Sequence, residues 1–402
     1  MAVFFDFLKE KKQRQYDTDV DYRERIRAHK LSVFLRTVGI TVAIVVVIVI
    51  MNISFNDKIY SEIRVNKSNP VSVVTGAHTE NLGGKLLIYS KDGATCIDSE
   101  GKASWNQSYE MQSPIVAICQ NTVAIGDYNG RTIYVANKDS ILGTVKTNLP
   151  IRDISVSDNG VVAAVLDDSE VTRIFVYNGN TDTDEPIVQA KATMNKSGYP
   201  IAVTLSPNGK LMMVSYFYVD SGNMKSSIAY YNFGEVGSNE ADNYVSGYDY
   251  SDTVIPYVKF MDDDSSFGVS DDRIIFFDGK EKPTNISSVI FDTRVVAVYN
   301  NEEYVGLVYR DTTGTSMFKL DIYNSTGALV STRLIDFEYT DIIFSKDQVI
   351  IYDDNKMEIY TIKGVQKFAG SLNTNTKLII PTNSTFKFSM VDSDSIDQVE
   401  LR

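Results

Sequence analysis

In this 402-residue sequence the side chains that do chemistry are scarce in every class but one. Histidine occurs only at His29 and His78, too few for a multi-histidine zinc site. His78 lies in Thr75–Glu80, read as a loop, and would be the sole base of any Ser-His-Asp arrangement. No Gly-x-Ser-x-Gly elbow accompanies it. Cys96 and Cys119 are the only cysteines, which excludes a disulfide scaffold. They read either as one bridge outside the cytoplasm or as two small buried hydrophobes. Carboxylates, in contrast, number 52. Two acids at the right separation suffice for glycoside hydrolysis, but among so many no pair stands out. The run Asp262, Asp263, Asp264 lacks the alternate spacing of a calcium loop and reads as a solvated turn between two strands.

Eight aspartates share one context, the end of a short apolar run. They are Asp92, Asp127, Asp168, Asp220, Asp271, Asp311, Asp353 and Asp392. Two readings compete. As turn formers, their carboxylates accept hydrogen bonds from nearby turn backbone. As a functional set, they gather on one face and form an electronegative rim that attracts a basic protein segment or a divalent cation. They are the candidate partner-binding face.

The elements that must position these acids are strands. After Pro70 the sequence becomes short β-rich runs separated by Gly, Asn, Asp and Ser. One phrase recurs: an apolar strand that ends in an aromatic and a turn residue. It appears at Thr132–Asn137, Arg173–Asn178, Ser227–Asn232, Arg273–Asp278, Lys319–Asn324 and Lys356–Thr361, with a weaker first copy at Ala94–Asp98. Its turn positions are spaced 39, 41, 54, 46, 46 and 37 apart, the period of a four-stranded propeller blade. The runs that end on the eight aspartates are then the second strands. The strands before them, such as Pro114–Cys119, Ile151–Val156, Ile201–Leu205 and Val254–Phe260, are innermost. The fold class is all-β, a propeller of about eight four-stranded blades, with seven as the alternative. The last blade holds only three strands before Arg402. Ile59–Val65 is therefore expected to supply its outer strand and close the ring, covering an edge that would otherwise invite pairing.

Ahead of the strands, Thr37–Phe55 is 19 residues without a charge, centred on Val42–Ile50. At 1.5 Å per residue it spans about 28 Å, one bilayer core. The segment is long, starts late and lacks a small-residue cleavage site, so it reads as an anchor rather than a signal peptide. Arg23, Arg25, Arg27, Lys30 and Arg36 precede it, which places the N-terminus in the cytoplasm. The organisation is a cytoplasmic basic tail (1–36), a transmembrane helix (37–55) and an extracytoplasmic propeller (56–402). The tail's apolar start, Ala2–Leu8, followed by Lys9, Lys11, Lys12 and Arg14, reads as disordered or as a helix on the inner leaflet.

Charge narrows the partners. The tail carries nine Lys/Arg against six Asp/Glu, and the rest 30 against 46, a net of −16. That repels nucleic acid phosphates. No cofactor is expected: a quinone cofactor site needs a stacking Trp, adjacent cysteines and calcium ligands. Trp105 stands alone, and Cys96 and Cys119 are far apart in sequence. In its fold phrases, however, the chain resembles known propellers. Ser206–Val214 resembles the inner hairpin of WD-repeat-like and TolB-like blades, and the Tyr-Asn-x-Gly strand ends resemble quinoprotein-like (PQQ-like) blades. The layout of basic tail, anchor and propeller resembles the uncharacterised single-pass propeller proteins of clostridial-type Gram-positive bacteria. That resemblance implies fold and topology, and little about function. The reading is a membrane-anchored, non-catalytic protein-binding scaffold at the bacterial cell envelope. The alternatives are a glycan-active hydrolase or lyase, marked by an acid pair facing a central pocket, and a ligand sensor, for which the tail leaves little room.

Overall fold

The structure, a computed structural model, describes residues 22, 26, 27, 29–48, 58–168, 171–192, 198–372 and 375–402. The chain divides into two compact units, residues 1–59 and 60–402. In the first, His29–Ile48 is an apolar helix of 20 residues. It starts ahead of the expected Thr37. Positions 49–55 of the expected span, and the segment Ala2–Arg14, lie outside the described residues. Val and Ile are weak helix formers in water, yet here they are exposed on every side of the helix. The Thr37 and Thr41 hydroxyls donate to the carbonyl oxygens of Val33 and Thr37 at 2.9 Å, so neither depends on water.

The described residues of the second unit form eight antiparallel four-stranded sheets, and seven blades is thereby set aside. In chain order the blades are residues 78–108, 114–146, 151–192, 199–251, 257–290, 295–335, 341–371, and 378–401 joined by 63–70. Side chains alternate across each strand, and both faces of a blade are apolar. In the second blade Val123 and Ile125 pack toward the first blade, while Ala124 packs toward the third. In the fourth, Met212, Val214 and Tyr216 face the third, and Leu211 and Met213 face the fifth. A hydrophobic cluster fills every junction between consecutive blades, the eighth-to-first included. Trp105 is a structural pin: its indole N–H donates to the Asn137 carbonyl of the next blade at 2.6 Å.

Ring closure uses the N-terminal strand, displaced from the expected Ile59–Val65. The strand is Ile63–Pro70, with Ile63 opposite Leu401 and Pro70 opposite Ser395. It is the outer strand of the eighth blade. Pro70 ends it, where a missing N–H costs no ladder bond. Tyr60, counted in the expected strand, instead turns inward and is buried against Phe386 and the seventh blade's Phe368. The fifth blade's innermost strand is shorter than expected, Tyr257–Phe260, because Pro256 cannot donate into the ladder. The third-strand phrase of the first blade is Gly93–Ile97, one residue ahead of the expected Ala94–Asp98.

Candidate functional site

Antiparallel order puts each blade's second-to-third-strand turn on the same face as the connection to the next blade. All eight candidate aspartates fall at these turns. Their local roles differ. The Asp353 Oδ1 accepts the N–H groups of Asn355 and Lys356, each at 2.6 Å. The Asp392 Oδ1 does the same for Asp394 at 2.7 Å and Ser395 at 2.6 Å. Both Asp311 oxygens are used, by the N–H groups of Thr313, Thr315 and Ser316. Those bonds hold its carboxyl well below the usual range. Asp127 instead receives Gln112 and Ser113 at 3.1 and 2.8 Å, fixing the connection from the first blade. Asp271 takes the Thr253 hydroxyl at 3.2 Å. Asp168 and Asp220 are paired with Arg173 at 3.0 Å and Lys225 at 2.6 Å. At Asp92 the turn is closed by Ser90, whose hydroxyl oxygen accepts the Asp92 N–H at 3.1 Å.

Turn chemistry thus accounts for much of the pattern, and the charge stays on the face. Glu110, Asp252, Asp292, Asp336, Asp354 and Asp394 occupy neighbouring turns and connections. Asp272 also lies here, its pKa pushed down to about 2 by the Arg273 guanidinium.

The sequence reading missed the apolar side chains that share this face. The second and third strands of the fourth blade are ten residues long, against five to eight in the others. Their hairpin ends in the facing pair Val219 and Met224, 63% and 53% exposed. Val74, Ile290 and Met317 are exposed on the same side. The signal for the hairpin was present: the apolar phrase Leu211–Asp220 is longer than its seven counterparts.

The innermost strands line a central channel that carries the half-buried Asp153 and Asp341 and the more exposed Glu80. Burial pushes Asp153 and Asp341 up to about 6, partly opposed by the adjoining N–H groups of Ile154 and Ile342. Glu80 is raised by burial and then by the charge of Asp341. On the face opposite the acidic rim the channel opens into a cavity of about 850 Å³. Neither Glu80 nor Asp341 lines it; Glu302, Glu303 and Asp347 do. Gln120 of the second blade reaches across to the Glu302 carboxylate of the sixth at 2.9 Å. First-hairpin turns on this face are latched to one another. The Asp158 carboxylate accepts the Asn121 N–H, and the Asp263 carboxylate accepts the Asn208 N–H, each at 2.8 Å.

The remaining candidates resolve structurally. In Asp262–Asp264, the Asp262 Oδ1 closes its own turn by accepting the N–H groups of Asp264 and Ser265. Asp263 is the latch above, and Asp264 faces Lys280. His78 is not in a loop: it opens the strand His78–Leu82 and stacks on Tyr89 at 5.1 Å. Cys96 and Cys119 are both free thiols. Among the described residues, no three His, Cys, Asp or Glu side chains are placed to share a cation.

The chain is similar to BamB from Moraxella catarrhalis, at 11% identity and a TM-score of 0.46 over 84% of this chain and 100% of that one. It is also similar to apo AztD from Citrobacter koseri, at 10% identity and a TM-score of 0.49 over 74% and 87%. At such identities the likeness is one of fold alone. No curated protein sequence matches the chain. The match that covers most of the sequence is to a family, over residues 56–401, which takes in the whole propeller and stops short of the apolar helix. The chain belongs to that family, DUF5711, a family of unknown function.

Proposed function

We propose that this protein is a membrane-anchored, extracytoplasmic scaffold that binds a protein partner on the face of its second-to-third-strand turns. One observation carries the reading. The eight aspartates and the exposed Val219, Met224, Ile290 and Met317 share that face of a rigid ring. Apolar side chains supply contact area, while the acids steer and select a cationic partner. The acids that serve as turn formers hold the loops, so the rim is presented in a fixed shape.

The anchor reading rests on the helix His29–Ile48 and on the bases that precede it. A cysteine introduced at exposed Val365 is expected to react with an impermeant thiol reagent in intact cells. Labelling only after lysis would reverse the topology.

The partner reading is tested by removing charge without removing turns. Asp92→Asn, Asp127→Asn, Asp271→Asn and Asp353→Asn are combined, because each uses at most one carboxylate oxygen as an acceptor. The variant is expected to keep the parental Tm. It should bind a fluorescent peptide of alternating Lys and Leu several-fold more weakly at low ionic strength, the difference shrinking as salt screens the rim. Unchanged binding at every salt concentration would reduce the acids to turn formers.

A further inference from the structure

In the central channel Lys259 has no counter-ion among the described residues. Lys259 comes from the fifth blade's innermost strand. Its ammonium nitrogen lies 3.5 Å from the Ile118 carbonyl oxygen of the second blade. The side chain borders both the 850 Å³ cavity and a deeper one of about 310 Å³, so it sits where the two spaces meet. Among the described residues no carboxylate stands within ion-pair reach of it. The titratable group that acts on it is Cys119. Burial pushes that thiol up to about 11, so it is neutral near pH 7 and supplies no negative charge. Asp158 and Asp263, which act on Cys119, keep their charge while accepting the Asn121 and Asn208 N–H groups, and neither forms an ion pair with Lys259. Of the other charges at the cavity, Glu302 is held by Gln120, and Lys346 donates to the Asn383 carbonyl. Glu303 and Asp347 complete the lining, and Asp153 lies in the deeper space.

A half-buried ammonium with one weak carbonyl contact, facing a cavity, is a seat for an anion. The cavity decides which kind of anion. Ile118, Phe260, Ile343 and Phe344 give it apolar walls, and its volume is that of a small-molecule site. The acids at the mouth disfavour phosphate and other multiply charged ions. We propose that the channel binds a small monocarboxylate with an apolar body, its carboxylate paired with Lys259. In the ligand-free protein burial holds the Lys259 pKa below its ordinary value. A bound carboxylate would raise it, so binding takes up a proton wherever the free amine is partly neutral.

The test uses the full chain in lipid nanodiscs, with empty discs subtracted. Calorimetry with 3-phenylpropionate is run in two buffers of different ionisation enthalpy, from about pH 7 up to about pH 10, just below the ordinary lysine value. The expected result is binding with proton uptake that grows with pH. The neutral 3-phenylpropionamide should bind at least about tenfold more weakly, the factor expected for a lost charge-assisted bond. Inorganic phosphate should give no heat. Lys259→Met should lose binding by a similar factor while keeping or raising Tm, since a half-buried charge with no ion-pair partner is removed. Equal binding by the amide, equal binding by Lys259→Met, binding without proton uptake at every pH, or no binding at all would each overturn the site. Should Lys259→Met misfold, the amide comparison and the proton count in the parent protein still decide.

Discussion

Asp153 and Asp341 are acids that the fold destabilises when they ionise. Both are held near pKa 6 by burial, above their ordinary value of 3.8. A folded-state pKa raised in this way contributes stability at low pH that is lost as pH rises through about 6. Asp311 and Asp272 work in the opposite sense: their depressed values contribute stability that is lost as pH falls below about 4. The account therefore predicts a Tm maximum at about pH 4 and a decline from there to about pH 6. On the alkaline side of it each channel acid costs of order 1–3 kcal/mol. A melting series across pH checks this, and Asp153→Asn with Asp341→Asn should flatten the limb above pH 5. A Tm that climbs steadily to pH 8 in the parent would show that these carboxyls are well solvated.

Among the elements, the strand Ile63–Pro70 has the most specific consequence. It lies far from the C-terminus in sequence yet pairs with Ser395–Leu401, closing the eighth blade. A chain that begins at Val71 would leave the third strand as an open edge and strip the cover from Phe368 and Phe386 that Tyr60 provides. It should melt well below a chain that begins at Asn56, or aggregate. Equal melting of the two would show that the ring is held by blade-to-blade packing alone. This element also marks what the sequence could convey. The repeat of strands ending in Tyr-Asn or Asp revealed blade number and strand order, because turn residues and apolar runs are local features. The need for a closing strand followed from counting strands. Its register did not, since Ile59–Val65 and Ile63–Pro70 are both strand-like text and only pairing with Leu401 selects between them. The eight turn aspartates were legible for the same local reason. The channel groups Asp153, Asp341 and Lys259 were not, because what sets them apart is burial across the ring, which joins residues more than a hundred positions apart. Their trace in the sequence is a charged residue inside an apolar first strand, as in Ile151–Val156.

For the whole molecule, the two faces of the ring differ in kind. One face is tied together by hydrogen bonds between neighbouring turns and by Gln120 reaching to Glu302 beside the cavity mouth. The other carries the turn aspartates and most of the long fourth-blade hairpin's exposed surface. A net charge of −16 after residue 36 makes a cationic partner the favoured one over the whole surface. The exposed apolar residues then determine where it docks. Site-specific photo-cross-linking in the native cell measures this directly, with a photoreactive residue at Val219 or Met317 on one face and at Val365 or Leu329 on the other. The account predicts a discrete protein adduct from Val219 and Met317, diminished when Asp92, Asp127, Asp271 and Asp353 are all asparagine, and none from Val365 or Leu329. No adduct from the acidic face, or equal yields from both faces, would contradict it.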